Sequence, residues 1–251
     1  MRVCAIELRG VRRAYPADDP DAPPGTEADA LAGVDLVIDK GEFVALTGPS
    51  GSGKSTILHV AGTLDAPTEG SVFIDGEDTA AFSAAGRARF RNRHIGFVFQ
   101  AFHLSPGMSV AENVALPAVL AKLPAAEIRS RVADLLDLVD LTARANRRPG
   151  QLSGGEQQRA AVARALVMDP PIVLADEPTG NLDSRNGGLV VDLLLAAHDA
   201  GRTVVLATHD QRLAARTQRI VHLRDGRVSH ETCPSRRDDR APSDLLDTRP
   251  D

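Results

Sequence analysis

Gly48-Pro49-Ser50-Gly51-Ser52-Gly53-Lys54-Ser55 follows the apolar run Phe43-Val44-Ala45-Leu46 and precedes the helical-looking Thr56-Ile57-Leu58-His59-Val60-Ala61. A strand, a glycine-rich turn and a helix in that order form a phosphate cradle of the P-loop kind. Glycines let the backbone turn tightly and aim successive N–H groups at phosphate oxygens, and the helix adds its positive dipole end. In this reading Gly48 to Thr56 line the nucleotide phosphates, Lys54 neutralises the terminal ones and Ser55 ligates Mg²⁺. The plain alternative is an ordinary strand-to-helix loop, which does not call for eight residues at this spacing. Composition adds weight, because the chain carries 3 lysines against 26 arginines and yet places a lysine here. A compact ammonium fits the centre of a phosphate nest where a planar guanidinium does not.

The chain has 251 residues, enough for one large α/β domain or a domain with a subdomain. A net charge of -5 offers no general basic face, so nucleic-acid binding is not expected. Cys4 and Cys233 are too few and too far apart for a disulfide framework or a zinc site, and a reducing cytoplasmic setting is the default. No apolar run reaches a membrane span and Met1 to Glu7 lacks a signal-peptide core, so a soluble chain is expected.

Strand patterns lie at Val3–Arg9, Val34–Ile38, Ser71–Gly76, Ile95–Phe99, Ile172–Ala175 and Thr203–Ala207. Helical signals dominate from Ser109 to Met168, including Ile128, Val132, Leu135, Leu136 and Val139 at three- and four-residue steps, and they resume from Leu189 to Ala200. The first of these blocks reads as a helical insertion between halves of a parallel sheet. Pro16 to Ala30, acidic and proline-containing, is expected to be a mobile surface loop, and Thr232 to Asp251 a disordered or loosely attached tail.

Four apolar runs end in residues suited to nucleotide chemistry: Leu46 enters the cradle, Phe99 delivers Gln100, Ala175 delivers Asp176-Glu177, and Ala207 delivers Thr208-His209. Ligands of open α/β sheets gather outside the carboxyl ends of strands, so these residues can converge. Asp176 can hold Mg²⁺ and Glu177 can orient or deprotonate the attacking water. His209 reads either as a satisfied turn residue or as a contact to the γ-phosphate and water. Tyr15, the only tyrosine, reads either as a packing aromatic or as a base-stacking one. Leu152-Ser153-Gly154-Gly155-Glu156 forms a capping box, and its paired glycines also bare the backbone at a helix N-terminus, the geometry that admits phosphate. Two phosphate-type helix ends are one more than a single nucleotide needs, which suggests that each serves a different copy of the chain.

Together these residues resemble the ATP-binding subunit of ABC transporters, over Val3 to about Val228. Gly48–Ser55 is similar to Walker A, Gln100 to the Q-loop, Leu152–Glu156 to the signature motif, Ile172–Glu177 to Walker B, Asn181-Leu182-Asp183 to the D-loop and His209 to the switch histidine. The resemblance implies a P-loop NTPase core of RecA-like α/β fold, an antiparallel β subdomain at the N-terminus and a helical signature subdomain near 101–168, all within 1–231. It implies ATP and Mg²⁺ as ligands, with Gln100 on the Mg²⁺ side of a catalytic group of Lys54, Glu177, His209 and Gln100. Tyr15 stacks on adenine, and Asp183 belongs to the nucleotide-binding set. It implies a head-to-tail homodimer in which Ser153, Gly154 and Gly155 of one copy complete the ATP site of the other. An integral-membrane permease receives the subunit at the cytoplasmic face of the membrane, beside Gln100 and residues Ala101–Pro106.

A narrower resemblance, carried by Val110–Pro117, Arg144–Pro149 and Asp176–Asp183, is to lipoprotein-releasing and macrolide-export ATPases, some of which transmit mechanical motion. The insertion after Tyr15 and the C-terminal tail depart from that pattern. Soluble ABC-type ATPases that act on DNA carry long coiled coils between cradle and signature, and translation-factor relatives carry two ATPase halves. Neither feature is present. A P-loop kinase or GTPase leaves Leu152–Glu156 unexplained, and a non-hydrolysing binding module is disfavoured by Asp176, Glu177 and His209.

Overall fold

The computed structural model describes residues 4–16 and 26–234. Two sheets organise the chain. The first is antiparallel, in the order β2-β1-β4-β5, with β1 at Cys4–Pro16, β2 at Glu27–Asp39, β4 at Glu69–Ile74 and the short β5 at Glu77–Asp78. The second has six strands: β3 (Phe43–Thr47), β6 (Ile95–Phe99), β7 (Ile172–Asp176), β8 (Thr203–Ala207), β9 (Arg219–Arg224) and β10 (Arg227–Thr232), in the order β10-β9-β3-β8-β7-β6. All its neighbours are parallel except the terminal β9–β10 hairpin. Every residue of β3 and β8 is buried, as expected for central parallel strands covered on both faces, and this is why Phe43–Leu46 and Thr203–Ala207 read as unbroken apolar runs.

Helix α1 (Lys54–Ala61) leaves the cradle and packs on β7, β8 and the antiparallel sheet. Ile57, Leu58, Val60 and Ala61 join Leu46, Leu174 and Val205 in one core with Ile6, Leu8 and Ile74 from the other sheet. Helix α6 (Ser184–Asp199) covers the opposite face through Val190 and Leu194 against Val204 and Leu206. Helix α2 (Ala84–His94) leads into β6, and the short α7 (Gln211–Ala214) follows β8. Helices α3 (Val110–Leu120), α4 (Ala125–Leu138) and α5 (Gly154–Leu166) enclose a third core of Val110, Val114, Val132, Leu136 and Ala160, and α5 also packs on β6. The fold is thus α/β with an antiparallel N-terminal sheet and a helical subdomain.

Two expectations need correction. Glu27–Ala30, assigned to a mobile loop, are strand residues: Glu27, Ala28 and Asp29 pair with Pro16, Tyr15 and Ala14. The β1 ladder supplies their hydrogen bonds, and Arg12 offsets their charge, 2.8 Å from Asp29 and 3.8 Å from Glu27. Residues 17–25 of the expected loop lie outside the described residues. Thr232 closes β10 opposite Ile220 instead of opening a loose tail, because β9 offers it an edge. The rest of the expected tail, from residue 235, also lies outside the described residues.

Candidate functional site

Strand order does the assembling. Adjacent parallel strands β3, β8, β7 and β6 bring the cradle, Thr208-His209, Asp176-Glu177 and Gln100 to one edge of the sheet, in register from Leu46 opposite Ala207 to Phe99 opposite Asp176. Cross-strand bonds from Thr208 N–H to the Leu46 carbonyl (3.0 Å) and from Glu177 N–H to the Ala207 carbonyl (2.9 Å) hold the loops level just past the strand ends.

Within the cradle, Gly48 has no room for a side chain, since a Cβ there would stand 2.3 Å from the Leu223 carbonyl oxygen. Gly53 has φ +100 and its Cβ would meet the Ala30 carbonyl oxygen at 2.7 Å, so the turn closes only with glycine. Gly53 is also the N-cap of α1, which therefore begins with no side chain on its first N–H groups. By contrast α3, α5 and α6 are capped by Ser109, Ser153 and Asp183. Open N–H groups at a helix start are an anion site. Lys54 is buried and curls back so that Nζ donates to the Gly48 and Pro49 carbonyls, 3.0 Å each, which places its charge over the turn. The Ser52 hydroxyl is buried there without a partner.

Ser55 Oγ donates to Asp176 Oδ1 at 3.0 Å across α1 and β7. Burial pushes the Asp176 carboxyl above its usual range, and the Ser55 hydroxyl only partly opposes this. A half-buried carboxylate beside a hydroxyl fits a hard divalent cation that phosphate oxygens also ligate. Among the described residues no group of three His, Cys, Asp or Glu side chains stands ready to hold a metal unaided. Glu177 has a left-handed backbone (φ 44), unusual for a glutamate, and its Oε2 lies 2.9 Å from His209 Nδ1. Gln100 turns elsewhere: its Nε2 donates to Asn181 Oδ1 at 3.4 Å, and Asn181 Nδ2 returns a bond to the Gln100 carbonyl at 3.1 Å. Gln100 makes no hydrogen bond to Ser55 or Asp176 here.

The second anion-type helix end lies beside the start of α6. Ser153 Oγ accepts from Glu156 N–H and Glu156 Oε2 accepts from Ser153 N–H, so the capping box leaves the N–H groups of Gly154 and Gly155 unused. The two glycines differ. A Cβ on Gly155 would fall 2.2 Å from Asn186 Oδ1, whereas on Gly154 its nearest neighbour would be Phe102 Cζ at an ordinary 3.6 Å. Internal packing therefore requires glycine at 155 and does not require it at 154. Asp183 is engaged within its own helix, accepting from Asn186 N–H at 2.8 Å. Tyr15, at the far end of β1, donates its hydroxyl to Asp65 Oδ2 at 2.6 Å.

Residues 31–180 match the family described as ABC transporter. The chain belongs to the ABC transporter family. MacB of Nitrosomonas europaea, a macrolide export ATP-binding/permease protein, is 48% identical over 237 residues, 94% of this chain and 35% of the relative. An ABC transporter ATP-binding protein of Thermotoga maritima is 48% identical over 202 residues, 80% of this chain and 86% of that protein. The solved dimer of the ATP-binding cassette MJ0796, in a post-hydrolysis state bound to ADP and Pi, superposes with a TM-score of 0.83 at 42% identity, covering 92% of this chain and 99% of that one. PvdT of Pseudomonas syringae, a pyoverdine export ATP-binding/permease protein, is 47% identical over 232 residues, 92% of this chain and 35% of the relative, so this ABC transporter chain spans about a third of the length of the MacB and PvdT relatives. Among its described residues no helix is long and apolar enough to cross a membrane.

Sequence reasoning missed several supports of this cassette. Buried Gln158 donates to the Phe99 carbonyl at 3.1 Å, immediately before Gln100. Arg164 donates to the carbonyls of Phe102 (2.9 Å) and His103 (2.5 Å), and burial lowers its pKa. Both lie on α5, Gln158 about one turn and Arg164 nearly three turns past the signature glycines, so the helix that presents one motif also braces the other. A glutamine and an arginine within an otherwise alanine-rich helix were the available signal.

Proposed function

We propose that this chain binds and hydrolyses ATP as the motor subunit of a membrane transporter, in export or in transmission of mechanical force, at the cytoplasmic face of the membrane. The observation that carries the reading is the strand order: one sheet edge holds the cradle, His209, Glu177 and Gln100 side by side. Lys54 would exchange its two carbonyl partners for phosphate oxygens. Mg²⁺, held by Ser55 and Asp176, would supply charge neutralisation between the phosphates. Glu177 accepts the proton of the attacking water, and His209, 2.9 Å away, orients the carboxylate. Tyr15 stacks on the adenine. The N–H groups of Gly154 and Gly155 close over the ATP of a second copy, so turnover depends on dimerisation. The dimeric cassette with ADP and Pi supports that arrangement.

A permease partner is supported by the names of the MacB and PvdT relatives. It is also supported by a groove of about 820 Å³ lined by Phe97, Phe99, His103, Leu120 and Arg89, Arg91 and Arg93 of α2. Glu177→Gln, given ATP and Mg²⁺, should bind nucleotide and sediment as a dimer while hydrolysing at least about 100-fold more slowly. A hydrolysing Glu177→Gln enzyme defeats the catalytic assignment. Unchanged ATP affinity of Lys54→Ala by calorimetry defeats the cradle.

A further inference from the structure

Tyr15 sits in a built setting. Asp65 Oδ2 accepts from the phenol at 2.6 Å and from Arg13 Nε at 2.9 Å, and the Arg13 guanidinium carbon lies 4.4 Å from the centre of the Tyr15 ring. Asp65 is itself fixed: its Oδ1 accepts from Ala66 N–H at 2.8 Å, and its own N–H donates to the carbonyl of His59 in the cradle helix α1 at 3.1 Å. Thus Asp65 joins the ring and its cation, through its carboxylate, to the element that carries Lys54 and Ser55, through its backbone.

We infer that Arg13 and Asp65 are positioning residues for nucleobase binding, Asp65 clamping the phenol and Arg13 covering one ring face so that adenine is confined to the other. This rests on the nucleotide reading above. A ring already ordered and single-faced loses little freedom when a base stacks on it, so the effect falls on affinity for the base and not on the phosphates. A merely structural ion pair would act on both alike.

The chain offers a private probe, because Tyr15 is its single tyrosine and it has no tryptophan. ATP and inorganic tripolyphosphate should be titrated by calorimetry and by tyrosine emission, on the wild type, Arg13→Gln and Asp65→Ala. The expected result is quenching of wild-type emission by ATP, with both variants binding ATP about three- to tenfold more weakly and tripolyphosphate within about twofold of wild type. Equal loss for ATP and tripolyphosphate, or unaltered ATP affinity and quenching in both variants, overturns the inference and leaves the nucleotide reading standing. ATP binding to the wild type without any change in Tyr15 emission removes the base from Tyr15 and overturns both assignments at that residue. Tyr15→Phe, which keeps the ring and loses the clamp, should match Asp65→Ala in calorimetry, and wild-type ATP affinity in that variant also counts against the clamp.

Discussion

His209 Nδ1 lies 2.9 Å from Glu177 Oε2, although the histidine side chain is 73% exposed and the carboxylate only 16%. The contact joins the ends of two adjacent strands, with the exposed partner reaching in to the shielded one. His209→Ala should therefore leave ATP affinity near wild type and lower turnover about 100-fold or more, by releasing Glu177. Steady-state hydrolysis beside calorimetric binding checks this, and turnover within twofold of wild type sinks it.

The signature glycines separate packing from function. Gly155→Ala drives a Cβ into Asn186 and should lower stability by about 1–3 kcal/mol, because Asn186 Cβ itself, 2.9 Å away, must move with its helix. Gly154→Ala meets only ordinary contacts and should change stability by less than about 0.5 kcal/mol, yet impair hydrolysis by obstructing the second copy. Denaturant melts paired with ATPase assays decide, and equal stability losses refute the distinction.

Burial first, and then the Asp65 carboxylate, raise the Tyr15 phenol above its usual range. A raised folded pKa stabilises the fold fully below the unfolded value near about 10, and that contribution is lost as pH rises through the folded value. Ultraviolet titration of this single tyrosine should give a higher midpoint in the native chain than in urea, and Asp65→Asn should bring it down. Coincident native and unfolded midpoints contradict the clamp.

At the acid end, the Ser153 N–H holds the Glu156 carboxyl below its ordinary 4.5, with burial opposing and Arg144 assisting at 3.1 Å. A depressed folded pKa gives stability that is present above the unfolded value and is lost as pH falls through the folded one. Glu156→Gln keeps the capping-box acceptor, so it should cost no more than about 1 kcal/mol at neutral pH and flatten the acid limb below about pH 4.5. Thermal melts across that range test it.

Which residues reach the sheet edge was legible in the residues that end each apolar run, because buried parallel strands announce themselves by unbroken Val, Leu and Ala, and the polar residue that stops the run must sit at that edge. The capping box at Ser153 and Glu156 was legible for a similar local reason. Strand Glu27–Ala30 was not, since its acidic residues become strand-compatible only once Arg12 on β1 is alongside. Nor was β10, whose partner supplies the ladder that its own sequence does not advertise.

Local spacing by itself determined the glycine-rich turn, the lysine at its centre, the capped signature helix and the order of strand ends along the chain, because turns, caps and buried strands are governed by residues a few positions apart. Only the tertiary structure decided that the four ends stand in the order cradle, His209, Glu177, Gln100, because strand neighbours are chosen by packing across the whole sheet. It also decided which signature glycine is filled by Asn186, and that Asp65, fifty residues from Tyr15, clamps its ring. Contacts between distant segments depend on how helices and sheets close on shared cores, which local sequence does not encode.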